Sequence, residues 1–260
     1  MYTIQIVDAA GNVKQEAAGT GYARLLCTLT YQEGDAIAFI TDERHCAIQV
    51  DQALPEALVY LPDKSFSFAI PMGDLKAAYP PQAFAGDMHL MQIRPARMEE
   101  LRARRNLALN PVDRRFCPNC FPHASANVET RDEPAFFARN AIDGLKFNHS
   151  HGNWPFLSWG IGGRADAEIT IQFGRTVRID EVAVTLRADF PHDSWWTQGL
   201  LSFPDGQQMV LRFQKTGDTQ YFETGEHLAE WVKLSDLKKS ETPSPYAALS
   251  EWEVFGQDIL

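Results

Sequence analysis

The sequence predicts an all-β protein built from two β-sandwich, jelly-roll-like domains. Three observations carry this prediction: short runs of alternating apolar and polar residues, turn signals between those runs, and one helical pattern near residue 100. The first 95 residues contain TIQIV, AIAFIT, ALVYL and SFSFAIP, separated by DAAGN, QEGD and LPDKS. Short strands that recur about every 8–12 residues, with no helical pattern among them, favour an antiparallel sandwich or jelly roll.

The segment PARMEELRARR changes the period from that of strands to that of a helix. Pro95 suits the first turn of a helix, and Glu100 and Arg104 have the i,i+4 spacing of a stabilising ion pair. We therefore expect a helical linker over residues 96–105. It divides the chain into an N-terminal sandwich over 1–95, with no predicted role, and a C-terminal sandwich over 106–260.

Strand patterns resume in the second half. AEITIQFG, EVAVTLR and MVLRF each place apolar residues on one face, and AEWVKLS and SEWEVFG close the chain. All six tryptophans lie in this half. A site that uses aromatic rings is therefore expected here.

Composition argues against several partners. The formal net charge is −10, so the chain lacks the basic surface that nucleic acids or anionic lipids attract. No apolar run is long enough to span a membrane, and the start has no secretory-signal pattern. Four cysteines are too few for a disulfide framework. These features predict a soluble cytoplasmic protein that binds neither nucleic acid nor membrane.

The stretch LRADFPHDSWWTQG, residues 186–199, concentrates side chains that suit sugar binding. Aromatic rings cover the apolar face of a pyranose, and charged or planar polar groups bind its hydroxyls. Adjacent tryptophans in a strand point to opposite sides, so one of Trp195 and Trp196 belongs to the core. The alternative for Arg187 is that it braces the loop through Asp189 or Asp193.

Several phrases of the second half occur in the order typical of one family. They are RNLALNP, HASANVETRDEPAFFARNAIDG, the pair Ser158-Trp159 and the closing SEWEVFG. With them, residues 106–257 resemble the discoidin or coagulation-factor type C family of the galactose-binding-like superfamily. The whole chain resembles bacterial proteins classed as carbohydrate-binding. The resemblance implies a β-sandwich whose ligands bind in loops at one end.

The resemblance also implies which residues form the site. Arg187 falls on the strand-end arginine, His192 on a position where asparagine is more usual, His151 on an upstream histidine, and Tyr246 on a late-loop aromatic. The full predicted set for non-catalytic glycan binding is Arg187, His192, His151, Trp154, Asp189, Asp193, Trp195, Trp196 and Tyr246.

The sequence suggests two metal sites, and the same residues could instead have purely structural roles. By resemblance, Asp143, Ser158 and Glu251 would hold a structural calcium ion, for which oxygen ligands are suited. Otherwise, Asp143 caps a turn and Glu251 pairs with a base. A weaker zinc reading uses Cys117, Cys120 and His123 of CPNCFPH, with His149 or His151 as fourth ligand. The second half of such a site lacks a standard spacing.

Two other function classes are kept open. A glycosidase needs two carboxylates and a lyase needs a base, which Asp189, Asp193, Glu129 and His192 could supply. The chain could instead be a structural or interaction module.

Overall fold

The computed structural model describes residues 1–116, 119–150, 152–188 and 194–260. Within them the chain is almost entirely β-structure, and every strand pairing is antiparallel, which confirms the predicted fold class. No helix in these ranges has the length and apolar character that crossing a membrane requires.

The first half forms two four-stranded sheets. Their strands are β1 (Tyr2–Val7), β2 (Val13–Gly19), β3 (Ala23–Cys27), β4 (Ala36–Thr41), β5 (His45–Gln49), β6 (Ala57–Tyr60), β7 (Ser65–Ala69) and β8 (His89–Pro95). One sheet has the order β2-β1-β4-β7 and the other β3-β8-β5-β6. Ile4 and Phe39 of the first sheet share one fully buried core with Ile48 and Ile93 of the second, as the alternating apolar residues predict.

The predicted helical linker is present as α1 (Met98–Arg102). It begins after Arg97 rather than at Pro95, which ends β8. The expected pairing of Glu100 with Arg104 is wrong. Glu100 instead accepts hydrogen bonds from Arg94, at 2.8 Å to each oxygen, and Arg104 pairs with Asp180 at 2.7 Å. Partners from neighbouring strands thus replace the local pair.

The second half forms one connected eight-stranded sheet with the main order β11-β16-β12-β15-β13-β14. Its strands are β9 (Arg105–Asn106), β10 (His123–Ala126), β11 (Trp159–Gly160), β12 (Ile169–Leu186), β13 (Trp196–Ser202), β14 (Gln208–Arg212), β15 (Gln220–Lys239) and β16 (Ala248–Asp258). The register between β12 and β15 shifts twice. Such bulges bend strands, and the residues of the enclosed face form a second core.

Short 3-10 turns connect β10 to β11 and carry the residues that border the candidate sites. They span Thr130–Asp132, Pro134–Phe136 and Ala138–Ala141. A fourth, Gly73–Ala78, lies in the first half. The turns Gly73–Ala78 and Pro134–Phe136 contact each other where the two halves meet.

The halves are joined by direct contacts. Tyr60 and Phe121 exchange two backbone hydrogen bonds, of 2.8 and 3.0 Å, and Asp258 pairs with Arg105 at 2.5 Å and lies 3.8 Å from His45. The core of the first sandwich also includes side chains from beyond residue 106, namely Val112, Cys120, Ala135 and Leu157.

Candidate functional site

Arg187 lies just past the end of β12, inside the protein. Its backbone N–H donates to the carbonyl of Ala248 at 2.9 Å, and its Nη1 donates to the carbonyl of Phe156 at 3.0 Å. The residue is fully buried. The expected direct contact of Arg187 with sugar hydroxyls therefore lacks an exposed guanidinium, because the strand end where it sits is covered.

The two adjacent tryptophans have different environments, as strand geometry requires. Trp196 opens β13, is 1% exposed and lies 6.1 Å from the ring of Trp159. Trp196 is therefore core, and the expectation that it contacts a sugar is not met. Trp195 is half-buried and packs against the same core.

Trp154 lies at the junction of the two halves. Its backbone N–H donates to the carbonyl of Ala77 at 2.9 Å, and its half-buried ring packs against the core of the first sandwich. This position serves the contact between the halves. The predicted residues His151, Asp189, His192 and Asp193 lie outside the described residues, so their sugar contacts stay predictions.

An open cavity of about 420 Å³ lies beside Tyr246. This tyrosine is 57% exposed. We call this recess the Tyr246 cavity. It is lined by Thr130, Arg131, Phe136, Ser158, Gly160, Ile161, Gly162, Tyr246, Ala247 and Ala248. A volume of this size and a mixed apolar and polar lining are typical of small-molecule sites.

Local backbone geometry keeps the cavity open. A Cβ at Gly160 would lie 2.6 Å from Oγ1 of Thr130 and 3.2 Å from the side chain of Phe136. Gly162 has φ of +59°, and its N–H donates to the same Oγ1 at 2.8 Å. Gly160 is thus needed for the close approach of two chain segments, and Gly162 for its left-handed backbone conformation.

One arginine borders the Tyr246 cavity, and its charge is already compensated. Arg131 binds both carboxylate oxygens of Glu133, with Nε–Oε1 at 2.8 Å and Nη2–Oε2 at 2.9 Å. Its guanidinium carbon lies 5.6 Å from the ring centroid of Phe136. The cavity therefore presents rings, hydroxyls and backbone groups rather than a net charge.

Two of the three expected calcium ligands lie close together. The N–H of Gly144 donates to both carboxylate oxygens of Glu251, at 3.1 and 3.2 Å, and Oδ1 of Asp143 accepts from Leu145 at 3.0 Å. Burial raises the pKa of both carboxyls, and the charge of Asp143 adds to the shift at Glu251. These two acids would hold a proton or a cation more readily than separate carboxylates.

Ser158, the third expected ligand, has other contacts. It is buried and lines the Tyr246 cavity, and its N–H donates to the carbonyl of Ala135 at 3.2 Å. Oδ2 of Asp143 is buried with no hydrogen-bond partner in the described part of the chain, and the nearest cation is Arg139 at 3.8 Å. The open oxygen fits a cation. Its remaining ligands would have to be carbonyls, since no three acidic, His or Cys side chains cluster among the described residues.

Two described members of the expected zinc site, His123 and Cys120, have other partners, and His149 is exposed. Nδ1 of His123 lies 2.7 Å from Oδ1 of Asp113, and Sγ of the buried Cys120 lies 3.9 Å from the amide of Asn110. Burial would lower the pKa of His123, but the hydrogen bond and charge of Asp113 outweigh it and raise the pKa. Cys117 lies outside the described residues. The geometry thus gives His123 a structural role, and nothing described assembles a zinc site.

Glu129, the acid of the enzymatic alternative that the structure describes, also has structural partners. It accepts from the N–H of Ala138 at 2.8 Å and pairs with Arg115 at 2.5 Å. Burial raises the pKa of Glu129, against the opposing effect of those partners. Its carboxylate holds the 130–139 segment in place.

Sequence reasoning found Tyr246 but missed its neighbours across the cavity. Thr130, Arg131 and Phe136 precede Tyr246 by more than a hundred positions in the chain, so no local spacing joins them. One signal was available, because WGIGG contains three glycines within four residues of a tryptophan. Such a run indicates a close backbone approach.

No family model matches the chain, and no curated protein matches it. Similar solved structures include a chitosan-binding module of a chitosanase/glucanase from Paenibacillus sp. IK-5, which is 18% identical over 58% of this chain and 99% of the module, with a TM-score of 0.40. The family 32 carbohydrate-binding module of C. perfringens NanJ, solved with galactose, is 18% identical over 51% of this chain and 91% of the module (TM-score 0.38).

A third similar structure is a fucosidase from Ruminococcus gnavus, solved with fucose. It is 16% identical over 60% of this chain and 27% of the enzyme, with a TM-score of 0.42. At these identities and scores the likeness concerns the fold only.

Proposed function

We propose that this protein binds carbohydrate without transforming it, and that the sugar occupies the Tyr246 cavity at one end of the second sandwich. The observation that carries the proposal is an exposed tyrosine ring beside an open recess of about 420 Å³. An accessible ring next to polar groups is what the two-sided chemistry of a pyranose requires.

In this proposal the ring of Tyr246 stacks on the apolar face of the sugar, and Phe136 limits the depth of the recess. Thr130 and the backbone around Gly162 bind hydroxyls. Because Arg131 is already paired with Glu133, a neutral sugar fits better than an acidic one. Small sites of this kind bind at roughly millimolar to micromolar affinity, since desolvation of polar groups offsets much of the contact energy.

Arg187 is buried and does not line the Tyr246 cavity, but it contacts segments next to it. Its hydrogen bonds to the Phe156 carbonyl and the Ala248 carbonyl join the loop at Phe156 to the start of β16, and Ala248 itself lines the cavity. We propose a positioning role for Arg187 instead of the direct hydroxyl contact expected from the sequence.

We also propose that Asp143 and Glu251 hold a structural calcium ion. The support is a pair of buried carboxylates with raised pKa values and one oxygen without a hydrogen-bond partner in the described ranges. When bound, the ion would neutralise the pair and fix the turn at Gly144. Calcium would have no part in chemistry on the sugar.

The test is a binding screen followed by a matched pair of tyrosine variants. Galactose, fucose and chitotriose, which the solved modules and their relatives bind, form the core of a wider glycan panel. For the best sugar, we expect Tyr246→Ala to weaken binding by at least about tenfold in calorimetry, the cost of losing a stacked ring. Tyr221→Ala removes a similarly exposed ring, 61% exposed, and should leave the affinity unchanged.

Equal affinities for the two variants would contradict the placement of the site. The absence of binding to any glycan would contradict the function itself. Release of a cleaved product from any bound oligosaccharide would favour the enzymatic alternative over simple binding.

A further inference from the structure

A second recess, of about 350 Å³, lies between the two halves of the protein. We call it the Arg114 cleft. Residues 69–79 of the first half line one side, and residues 114–116 and 132–139 of the second half line the other. It shares no lining residue with the Tyr246 cavity, although the 130–139 segment borders both. It is therefore a separate place for a ligand.

Three arginines border the cleft, and two of them are already paired. Arg115 lies 2.5 Å from Glu129 and also contacts Asp132. The buried Arg139 donates to the carbonyls of Asp113 at 2.7 Å and Pro111 at 3.0 Å and lies 3.8 Å from Asp143. Neither guanidinium needs a ligand to be satisfied.

Arg114 is different. Its half-buried side chain places the guanidinium carbon 5.6 Å from the ring centroid of Phe68, and within the described ranges it has no carboxylate and no hydrogen-bond acceptor. No described carboxylate compensates the charge of Arg114, so this guanidinium is free to form a charge-assisted pair with a ligand. An anion in the cleft would supply the missing partner.

The shape and charge of the cleft narrow the chemistry of that anion. A guanidinium presents two parallel N–H groups that match the two oxygens of a carboxylate. Ile70, Leu75 and the rings of Tyr79 and Phe137 offer an apolar surface for the rest of the molecule. Asp132 also lines the cleft, but it is paired with Arg115, so the single charge of Arg114 that has no described acid beside it matches an anion of one charge.

We propose that the Arg114 cleft binds a small monocarboxylate with an aromatic or other apolar body, independently of the sugar site. The carboxylate pairs with Arg114, and the body lies between residues 69–79 and the ring of Phe137. This occupant bridges the two halves of the chain, since each contributes one wall of the cleft.

Benzoate is the probe, and binding is measured by calorimetry or saturation-transfer NMR on the full chain at low salt. We expect saturable binding that Arg114→Gln weakens by about tenfold or more, because the charge-assisted pair is lost. Arg114→Lys should retain part of the affinity. Benzyl alcohol, which has the ring without the charge, should bind at least several-fold more weakly than benzoate.

The matched control is Arg24→Gln. Arg24 also lies over an aromatic ring, that of Tyr22 at 4.5 Å, but it belongs to the first half and does not line the cleft. Arg24→Gln should leave benzoate binding unchanged. Tyr246→Ala should also leave it unchanged, so failure of the sugar proposal and failure of this one are distinguishable.

Three results would overturn the proposal. The first is no benzoate binding at about 10 mM, a concentration that detects even weak ligands of this size. The second is equal binding by the wild type and by a folded Arg114→Gln variant, with folding verified by thermal unfolding. The third is tighter binding of phenyl phosphate than of benzoate, which would show that a dianion is preferred.

Discussion

The Tyr246 cavity and the Arg114 cleft both border the segment 130–139, and each has an arginine beside a phenylalanine ring. The guanidinium carbon lies 5.6 Å from the ring centroid in both cases, over Phe136 for Arg131 and over Phe68 for Arg114. The two arginines differ in whether an acid neutralises their charge. Glu133 binds Arg131 through two oxygens, and no described acid reaches Arg114. The same residue types therefore predict opposite ligands, a neutral one and an anionic one.

The largest effect that separates the two recesses should come from Gly160→Ala. The added Cβ would lie 2.6 Å from Oγ1 of Thr130, so the floor of the Tyr246 cavity must shift. We expect a loss of sugar affinity of about a hundredfold and a destabilisation of roughly 1–3 kcal/mol from overpacking. Calorimetry with the best sugar and with benzoate measures both sites in one variant.

Gly21→Ala is the matched control, because a Cβ there meets nothing within 4 Å. Benzoate binding should survive Gly160→Ala. If both ligands lost affinity together, the two recesses would be one coupled site and the comparison would fail.

The next effect concerns the buried acids Asp143 and Glu251. Asp143 lies 3.8 Å from Arg139, which lines the cleft. Burial raises the pKa of Asp143 to about 7 and that of Glu251 well above its usual value. The folded state therefore binds protons more tightly than the unfolded state. Its stabilisation is complete below the ordinary carboxyl range and is lost as the pH rises through the raised values.

In a chelator, we expect the free energy of unfolding to fall by at least about 2–3 kcal/mol between pH 5 and pH 8 from this pair. Urea unfolding measures it, and Glu251→Gln should remove the part of the slope that comes from Glu251, while burial keeps the pKa of Asp143 raised. Millimolar calcium should restore stability at pH 8 in the wild type and much less in the variant. An identical slope in both proteins would exclude the pair as its source, and no response to calcium would contradict the proposed ion.

The smallest expected effect tests whether neutralisation of Arg131 by Glu133 decides which sugars bind. Glu133→Gln removes the partner of Arg131 without changing the size of the side chain. The affinity for glucuronate relative to glucose should rise by about threefold, since the pair is exposed and its electrostatic effect modest. The gain should shrink at high salt. An unchanged ratio would mean that pairing does not decide which ligand the cavity accepts.

The sequence predicts most strands because one face of each is buried. Every alternating apolar run named in the first half corresponds to an observed strand. It misses β2, whose residues are half-buried or exposed throughout, so no apolar stripe marks it. It also divides β12 in two at GRTVRID, where Gly174 has φ of +68° and a bulge resembles a turn in the sequence.

The candidate site was harder to predict because it depends on burial and on distant segments. Arg187 was located at a strand end, but nothing in its neighbours reveals that the end is covered. Of the adjacent tryptophans, alternation predicts that one is core and cannot say which. Tyr246 was identified from its place in the late loop, whereas Thr130 and Phe136 face it only after the chain has folded.

The core of the first sandwich is completed by Val112, Cys120, Ala135 and Leu157 from the second half. A gene fragment that stopped at residue 95 would therefore encode a sandwich with part of its hydrophobic core exposed to solvent, and we expect it to aggregate on expression. A fusion protein that contained the second half alone would expose the same four side chains to water. The useful unit for engineering is the entire chain.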